Sequence, residues 1–574
     1  CLDVGKRVII VDDYHKLNLT KERRKEFLDR ASKFSSYTFL FAQNLALAIN
    51  EIVNAEGGGL EKDFSNVNIL QFNRQRRNRL IENWLLLDGE PEDKNAFAHR
   101  LNFMETTITD LLGKNFVPSY PIYVLSVLQA SETATQIDTR ASTQGYYYEI
   151  FIKTALSQGK SNVEYNILET YLAHLSYHFF ENEVKILDER AYQDFHFAHQ
   201  NNFDIERSWK DISSSLIEKQ IFIATDGNYH FAQKYLYYYF TAYYMQDHID
   251  EESIQHRIAF LCQHLYNEEY SNILLFLAHL SKHPIIIQEL INAAEQHFPD
   301  VQPASIDADV VFLNELDHAV LDISYEDSDH RENRKKLLAN IDEDEQRDTL
   351  NYELTENDKN QMTDPAIKLN GALKTLQILG QVLKNFPGSI HAEQKYEIAN
   401  SCYRLGLRSL ASMYNLLREN ETLILEDYMN IIKVHHPSMH LDDIRKRAKE
   451  TIVGMGRVVT YGIVKRISGA VGSPDLSVTY QRLLKDNDIP SYNLVDVALQ
   501  LDHGGSFPLN RVKEANSSIQ NNFLALNTLR LLVVENLSLF PVSYDTRQKA
   551  CEAVDVSYSK LTVTSMNQNI ISKR

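Results

Sequence analysis

The chain has 574 residues, more than one ordinary core serves, so three or four packed modules are expected. Hydrophobic residues make up 44% and charged residues 24%, which excludes a disordered chain, and a formal net charge of -19 argues against a general nucleic-acid coat. The four cysteines, Cys1, Cys262, Cys402 and Cys551, are far apart without a C-x-x-C pair, so neither a zinc knuckle nor a disulfide framework is indicated. With no signal-peptide pattern and no apolar run near the roughly 18 residues that span a bilayer, a soluble cytoplasmic protein is expected.

The chain starts on Cys1 rather than Met, with a strand-like run following at once, and the expectation is a fragment whose upstream part is missing. "RVIIV" (7–11) and "YTFLF" (37–41) are β-branched and aromatic runs separated by the helix-like "KERRKEFLDRASKF", the βαβ signature of a parallel sheet. "NVNILQF" (66–72) suggests a third strand and "RQRRNRLIENWLL" a helix, so residues 1–90 read as the C-terminal part of an α/β domain. A small helical module over 91–140 is interrupted by "NFVPSYPIY", where Pro118 and Pro121 mark a turn. Over 141–250, three helical segments and a hairpin signal at Asp226-Gly227 predict a winged helix. Residues 251–300 continue as helices, 301–365 turn acidic and read as a linker or solvated helix, and 366–574 carry helical spacing suited to a bundle or an irregular solenoid. The expected fold is mainly α: a remnant of a P-loop α/β domain, a helical module, a winged helix and an all-α C-terminal region.

In "VIIVDDY", two aspartates end an apolar strand. At the C-terminal end of a parallel strand, Asp12 is placed to hold a magnesium-bound water and Asp13 to polarise a water attacking a γ-phosphate. The alternative is a strand ending in a solvated acidic turn. The matching phosphate cradle, G-x-x-x-x-G-K-[ST], is not in this sequence: neither "VGKRV" nor "EGGGLEK" fits. Gln43 and Asn44 follow the second strand, as γ-phosphate sensors or as loop residues. Arg74, Arg76, Arg77 and Arg79 face phosphate or, the stronger reading, solvent. The tyrosines of "YHFAQKYLYYYFTAYYM" suit a buried contact between modules rather than a base-stacking platform. His174, His178 and His230 lack a second ligand at metal spacing and read as structural.

Taken in order, "RVIIVDDY", "FLFAQN", "VPSYPIYVLSVL" and "YHFAQKYLYYYFTAYY" resemble the STAND-class NTPases, the NACHT-like signalling ATPases that include bacterial antiphage-defence proteins. The resemblance spans about residues 1–250 and implies a Walker B strand, a sensor strand, a proline-containing helical module and a winged helix. It implies ATP or ADP with Mg2+ as cofactor, held with a phosphate loop that this chain lacks, so ATPase activity is expected only of the full-length protein. In the family a proline packs on adenine, which here matches Pro121. A histidine after the second wing strand touches the ADP phosphates; here Gln233 takes that position, with His230 three residues earlier. "DDYHKL" also departs from the family's more acidic D-G-x-D-E, leaving Asp13 as the carboxylate for water activation. Residues 373–410 are similar to C-terminal regions of bacterial STAND proteins, which implies a trigger protein or ligand on the C-terminal helices, homo-oligomers on activation and an N-terminal effector domain missing here. Two other readings stay open: a non-enzymatic helical scaffold, and a winged-helix transcription regulator. For the latter, "IERSWKDISSSLIEK" offers only Arg207, Lys210 and Lys219 among three acids.

Overall fold

A computed structural model describes residues 7–12, 14, 21–41, 65, 67, 69–87, 89, 91–112, 117–134, 143–157, 163–204, 206–316, 323–325, 328–354, 365–386, 388–503 and 505–558. The protein is mainly helical and divides into two compact units, Cys1–Leu70 and Gln71–Arg574.

In the first unit, Val8–Val11 (β1) and Tyr37–Leu40 (β2) pair in parallel, Val8 opposite Tyr37 and Val11 opposite Leu40. Lys21–Phe34 (α1) lies between them in sequence, as a parallel pair requires, because such strands cannot be joined by a tight turn. The pleat collects Val8, Ile10, Tyr37 and Phe39 on one face, and all four are more than half exposed. The expected strand over 66–72 does not form: the described residues of that run are irregular, and Val67, Ile69 and Leu70 are exposed. An apolar run becomes a strand only beside a partner edge, and among the described residues none pairs with it.

The second unit begins with Arg74–Leu85 (α2), Lys94–Leu112 (α3), Pro121–Ala134 (α4) and Thr143–Leu156 (α5). Tyr165–Glu181 (α6), Leu187–Asp188 (β3), Glu189–Phe203 (α7) and Trp209–Glu218 (α8) precede a hairpin of Phe222–Thr225 (β4) and Asn228–Phe231 (β5). Asp226 and Gly227 turn it with φ of 52° and 78°, the two positive values a tight two-residue hairpin turn needs. The three strands form an antiparallel sheet in the order β3-β5-β4.

Lys234–Asp247 (α9) follows directly and packs on α6. Its Tyr235, Tyr237, Tyr238, Tyr239 and Phe240 are all buried, so the tyrosine run is an internal seam, as its composition predicts. Then come Glu252–Gln263 (α10), Glu268–Leu280 (α11) and Pro284–Gln296 (α12). The Tyr237 hydroxyl donates to Glu269 at 2.5 Å, tying α9 to α11.

Beyond Val311–Leu316 (α13) and Ser324–Tyr325 (β6), the acidic stretch forms the helix His330–Leu354 (α14), packed on α2 and on Phe523–Leu539. Pro365–Asn385 (α15), Ala392–Glu419 (α16), Glu421–His435 (α17), Leu441–Val471 (α18), Ser477–Asp486 (α19), Pro490–His503 (α20), Leu509–Ser518 (α21), Phe523–Leu539 (α22) and Tyr544–Ala553 (α23) complete the chain with Ser557–Tyr558 (β7), which pairs in parallel with β6. The long α18 is the spine here, touching α13, α15, α16, α17, α20 and α22. A contiguous apolar core runs from Ile81 to Val556.

Candidate functional site

In the first unit, Asp12 follows β1 directly and is exposed. The ladder continues past the strand ends, Phe41 N–H donating to the Val11 carbonyl and Tyr14 N–H to the Phe41 carbonyl, both at 2.8 Å. Asp12 therefore stands at the carboxyl end of a parallel strand, the position at which open α/β sheets gather ligands. Asp13, Gln43 and Asn44 lie outside the described residues.

In the second unit, Pro121 is the first residue of α4, where its fixed φ suits the helix start and its missing N–H costs nothing. It is exposed, and so is Ile122, at 57%. Two residues on, the Tyr123 hydroxyl shares a 3.1 Å hydrogen bond with the Tyr235 hydroxyl of α9, the rings standing edge to face with centroids 6.2 Å apart. Tyr123 also packs edge-on against Phe151 at 5.2 Å. Burial raises the pKa of both phenols, so both stay protonated and neutral. Pro121 and Gln233 each lie two residues ahead of one member of this tyrosine pair, so the pair anchors the starts of α4 and α9 to each other. Beside it is a recess of about 30 Å³ lined by Ile122, Tyr123, Ser126 and Phe151, enough for a water or two.

Gln233 is the N-cap of α9, half-buried, with extended φ and ψ of -132° and 127°, and its side chain makes no capping bond. Lys234 beside it is exposed, its Nζ 3.7 Å from Glu268. A helix N-terminus carries roughly half a positive charge and unpaired amides, so this end is suited to an anion. His230 lies opposite Ile223 on β5 and is partly exposed, while its neighbours Tyr229 and Phe231 pack inward on Tyr192 at 5.0 Å and Phe222 at 4.7 Å.

The other histidines sit among aromatic rings. His174 meets His199, Phe203 and Tyr244 at 5.3, 4.8 and 4.9 Å. Burial, helped by the neighbouring His248, pushes His174 down to about 4. Burial, with His174 and His196 adding, does the same to His199. His178 is lowered chiefly by burial as well. Among the described residues no cluster of three or more His, Cys, Asp or Glu is placed to hold a metal ion.

The arginine-rich α2 divides by face. Arg74 reaches Glu345 of α14 at 2.7 Å, and buried Arg77 reaches Glu105 at 3.1 Å and Thr109 at 2.8 Å, while Arg76 and Arg79 are exposed. Just past α8, Lys219 is buried, so exposed Lys210 and half-buried Arg207 are the cations this segment could turn to a DNA groove.

Sequence reading missed Tyr123 and Tyr235 as a pair: each is one of many tyrosines, and only the fold joins them.

No helix among the described residues is long and apolar enough to cross a membrane. No curated protein matches the sequence significantly. Residues 185–241, which run through β3, α7, α8, the hairpin and the first half of α9, match the family model described as Novel STAND NTPase 4, a match that supports a STAND-class NTPase and, with it, nucleotide binding in general.

Proposed function

We propose that the chain belongs to a STAND, NACHT-like nucleotide switch of the bacterial antiphage-defence type. In this reading ADP bound at the helical module and a winged helix formed by α6 to β5 holds a closed state. A trigger protein or ligand on the C-terminal helices favours the open state, ATP replaces ADP, and the protein oligomerises to control an N-terminal effector. Such a trigger must bind the open state better than the closed one, since equal affinity shifts nothing.

The observation that carries the reading is the family match over residues 185–241, because it covers the hairpin and the helix start at Gln233, the position to which the resemblance assigns the phosphate contact. The side chains present fit such a ligand. Pro121 and Ile122 leave an apolar surface open for an adenine, and Gln233, Lys234 and the N-terminal end of α9 offer donors to phosphate. The exposed apolar face of Val8, Ile10, Tyr37 and Phe39 also suits a sheet covered by further layers of an α/β domain.

The test is binding of a fluorescent ADP analogue to the full-length gene product. Binding that weakens when Pro121→Asp places a charge under the adenine supports the switch. Failure to bind ADP or ATP with an intact upstream phosphate loop rejects it and leaves the helical scaffold.

A further inference from the structure

Between residues 415 and 447 only Ile444 is buried, so α17 and the first turns of α18 form a two-helix arm with an open outer surface. α17 packs on α18, and its half-buried side holds Leu425, Tyr428 and Ile432. The opposite side carries Leu423, Asp427, Asn430 and Val434, all exposed, Val434 at 75%. Steps of four, three and four residues keep these side chains within about 60° of arc on a 3.6-residue helix, so they form one stripe.

The two edges of the stripe differ. One has exposed Glu426 and Lys433; the other has half-buried Ile424 and exposed Ile431. Charge is also sorted along the arm. Glu419, Glu426 and Asp427 lie toward its base, and Lys433, Arg445, Lys446 and Arg447 lie toward its tip, where Asp442 and Asp443 offset part of the positive charge. None of these three acids and four cations makes an ion pair or a side-chain hydrogen bond with another described residue.

A second copy of α17, laid antiparallel, complements this stripe position by position. With Leu423 against Val434 of the second copy, Asp427 meets Asn430, whose amide donates to the carboxylate, and a twofold axis repeats both contacts. The same register sets Glu426 beside Lys433 on one edge and Ile424 beside Ile431 on the other. A parallel pair would instead bring each residue to itself, Asp427 to Asp427 and Lys433 to Lys433, which like charges disfavour. The base-to-tip sorting of charge favours the antiparallel pair as well, since it lays each basic tip along an acidic base.

We propose that α17 is a twofold dimerisation seam joining two copies of this chain through antiparallel arms. One 15-residue helix against another gives a seam about 22 Å long, smaller than a standard interface, so the dimer is weak, with a Kd on the order of tens of micromolar. It needs no nucleotide and uses neither Pro121 nor Gln233. It is therefore distinct from the oligomerisation of the proposed switch and stands whether or not the chain is one.

The test is sedimentation velocity of the whole chain without nucleotide, from about 2 to about 200 µM, over which monomer should give way to dimer. Val434→Asp sets a carboxylate against Leu423 at both ends of the seam and should weaken association about tenfold or more, while its exposure leaves the fold intact. Lys433→Glu turns two attractive contacts repulsive and should weaken it about tenfold, and adding Glu426→Lys to the same chain should restore it, because each pair is only reversed. Disulfide trapping reads the orientation. Leu423→Cys mixed with Val434→Cys should cross-link at the introduced sulfurs, and neither should cross-link to itself, since like positions lie about 16 Å apart along the seam. A monomer throughout the range overturns the proposal and leaves the stripe to a different protein. A dimer indifferent to Val434→Asp, a charge reversal that Glu426→Lys does not rescue, or self-cross-linking of either cysteine variant overturns it too.

Discussion

Asp342 of α14 accepts hydrogen bonds from the backbone amides of Arg74 and Gln75, at 2.8 and 3.1 Å, and so caps the start of α2 from far along the chain. Asn73 takes the Arg76 amide with its side chain at 3.1 Å, so three of the orphan donors at this end are satisfied, and its carbonyl accepts the first helical bond from the Arg77 amide at 3.0 Å. The carboxylate is buried, so Asp342→Ala should cost about 2 kcal/mol. Glu345→Gln, which loosens the partly exposed pair with Arg74, should cost about 0.5 kcal/mol. Urea unfolding of the two variants checks the difference; equal midpoints would remove the capping role.

That relationship marks where sequence reading stops. The parallel β1 and β2 pair, the hairpin at Asp226-Gly227 and the buried tyrosines of α9 were legible because each follows from residues within a few positions of one another. Residues 301–365 were read as linker or solvated helix from their acidity alone. In the fold α14 uses that acidity to cap α2, while Asn333 donates to the Ser538 carbonyl at 3.0 Å near the end of α22. Nothing local in "NIDEDEQRD" distinguishes a capping aspartate from a solvated one, because its partner lies some 270 residues away. The expected strand over 66–72 failed for the same reason: pairing is a property of the neighbour. Of the candidate site residues, Pro121, His230 and Gln233 were visible as motif positions.

Tyr123 and Tyr235 join the helices that start at Pro121 and Gln233. Each Phe substitution alone leaves a partly buried hydroxyl unpaired, so each should destabilise by about 1 kcal/mol, and the double variant by less than the sum. A double-mutant cycle read by chemical unfolding checks this, and strict additivity would mean the hydroxyls do not couple.

The buried histidines fix the sign of one pH response. His174 and His199 are held at about 4 and His279 at about 3, in each case mainly by burial. In the unfolded chain they take the ordinary value of about 6.5. Between those values the unfolded state binds more protons, so stability is full above pH 6.5 and falls as pH drops toward 4. The melting temperature should therefore decline between pH 7 and pH 5, ahead of most carboxylates, and His174→Gln should flatten part of the slope. A melting temperature constant over that range would contradict the burial of these rings.

Glycines of α15 and α18 should divide by what a methyl group would meet. A Cβ on Gly380 would run into the backbone carbonyl of Ala470, which cannot rotate away, whereas one on Gly462 of α18 would meet nothing within 4 Å. Helical Gly→Ala substitutions otherwise gain about 0.5–1 kcal/mol, by reducing the freedom of the unfolded chain. Gly462→Ala should realise that gain. Gly380→Ala should instead lose about 1–3 kcal/mol as α15 is forced off the spine. Both variants keep the same helix propensity change, so a difference in unfolding midpoint isolates the close approach, and equal stabilisation would show that the two helices are not packed backbone to backbone.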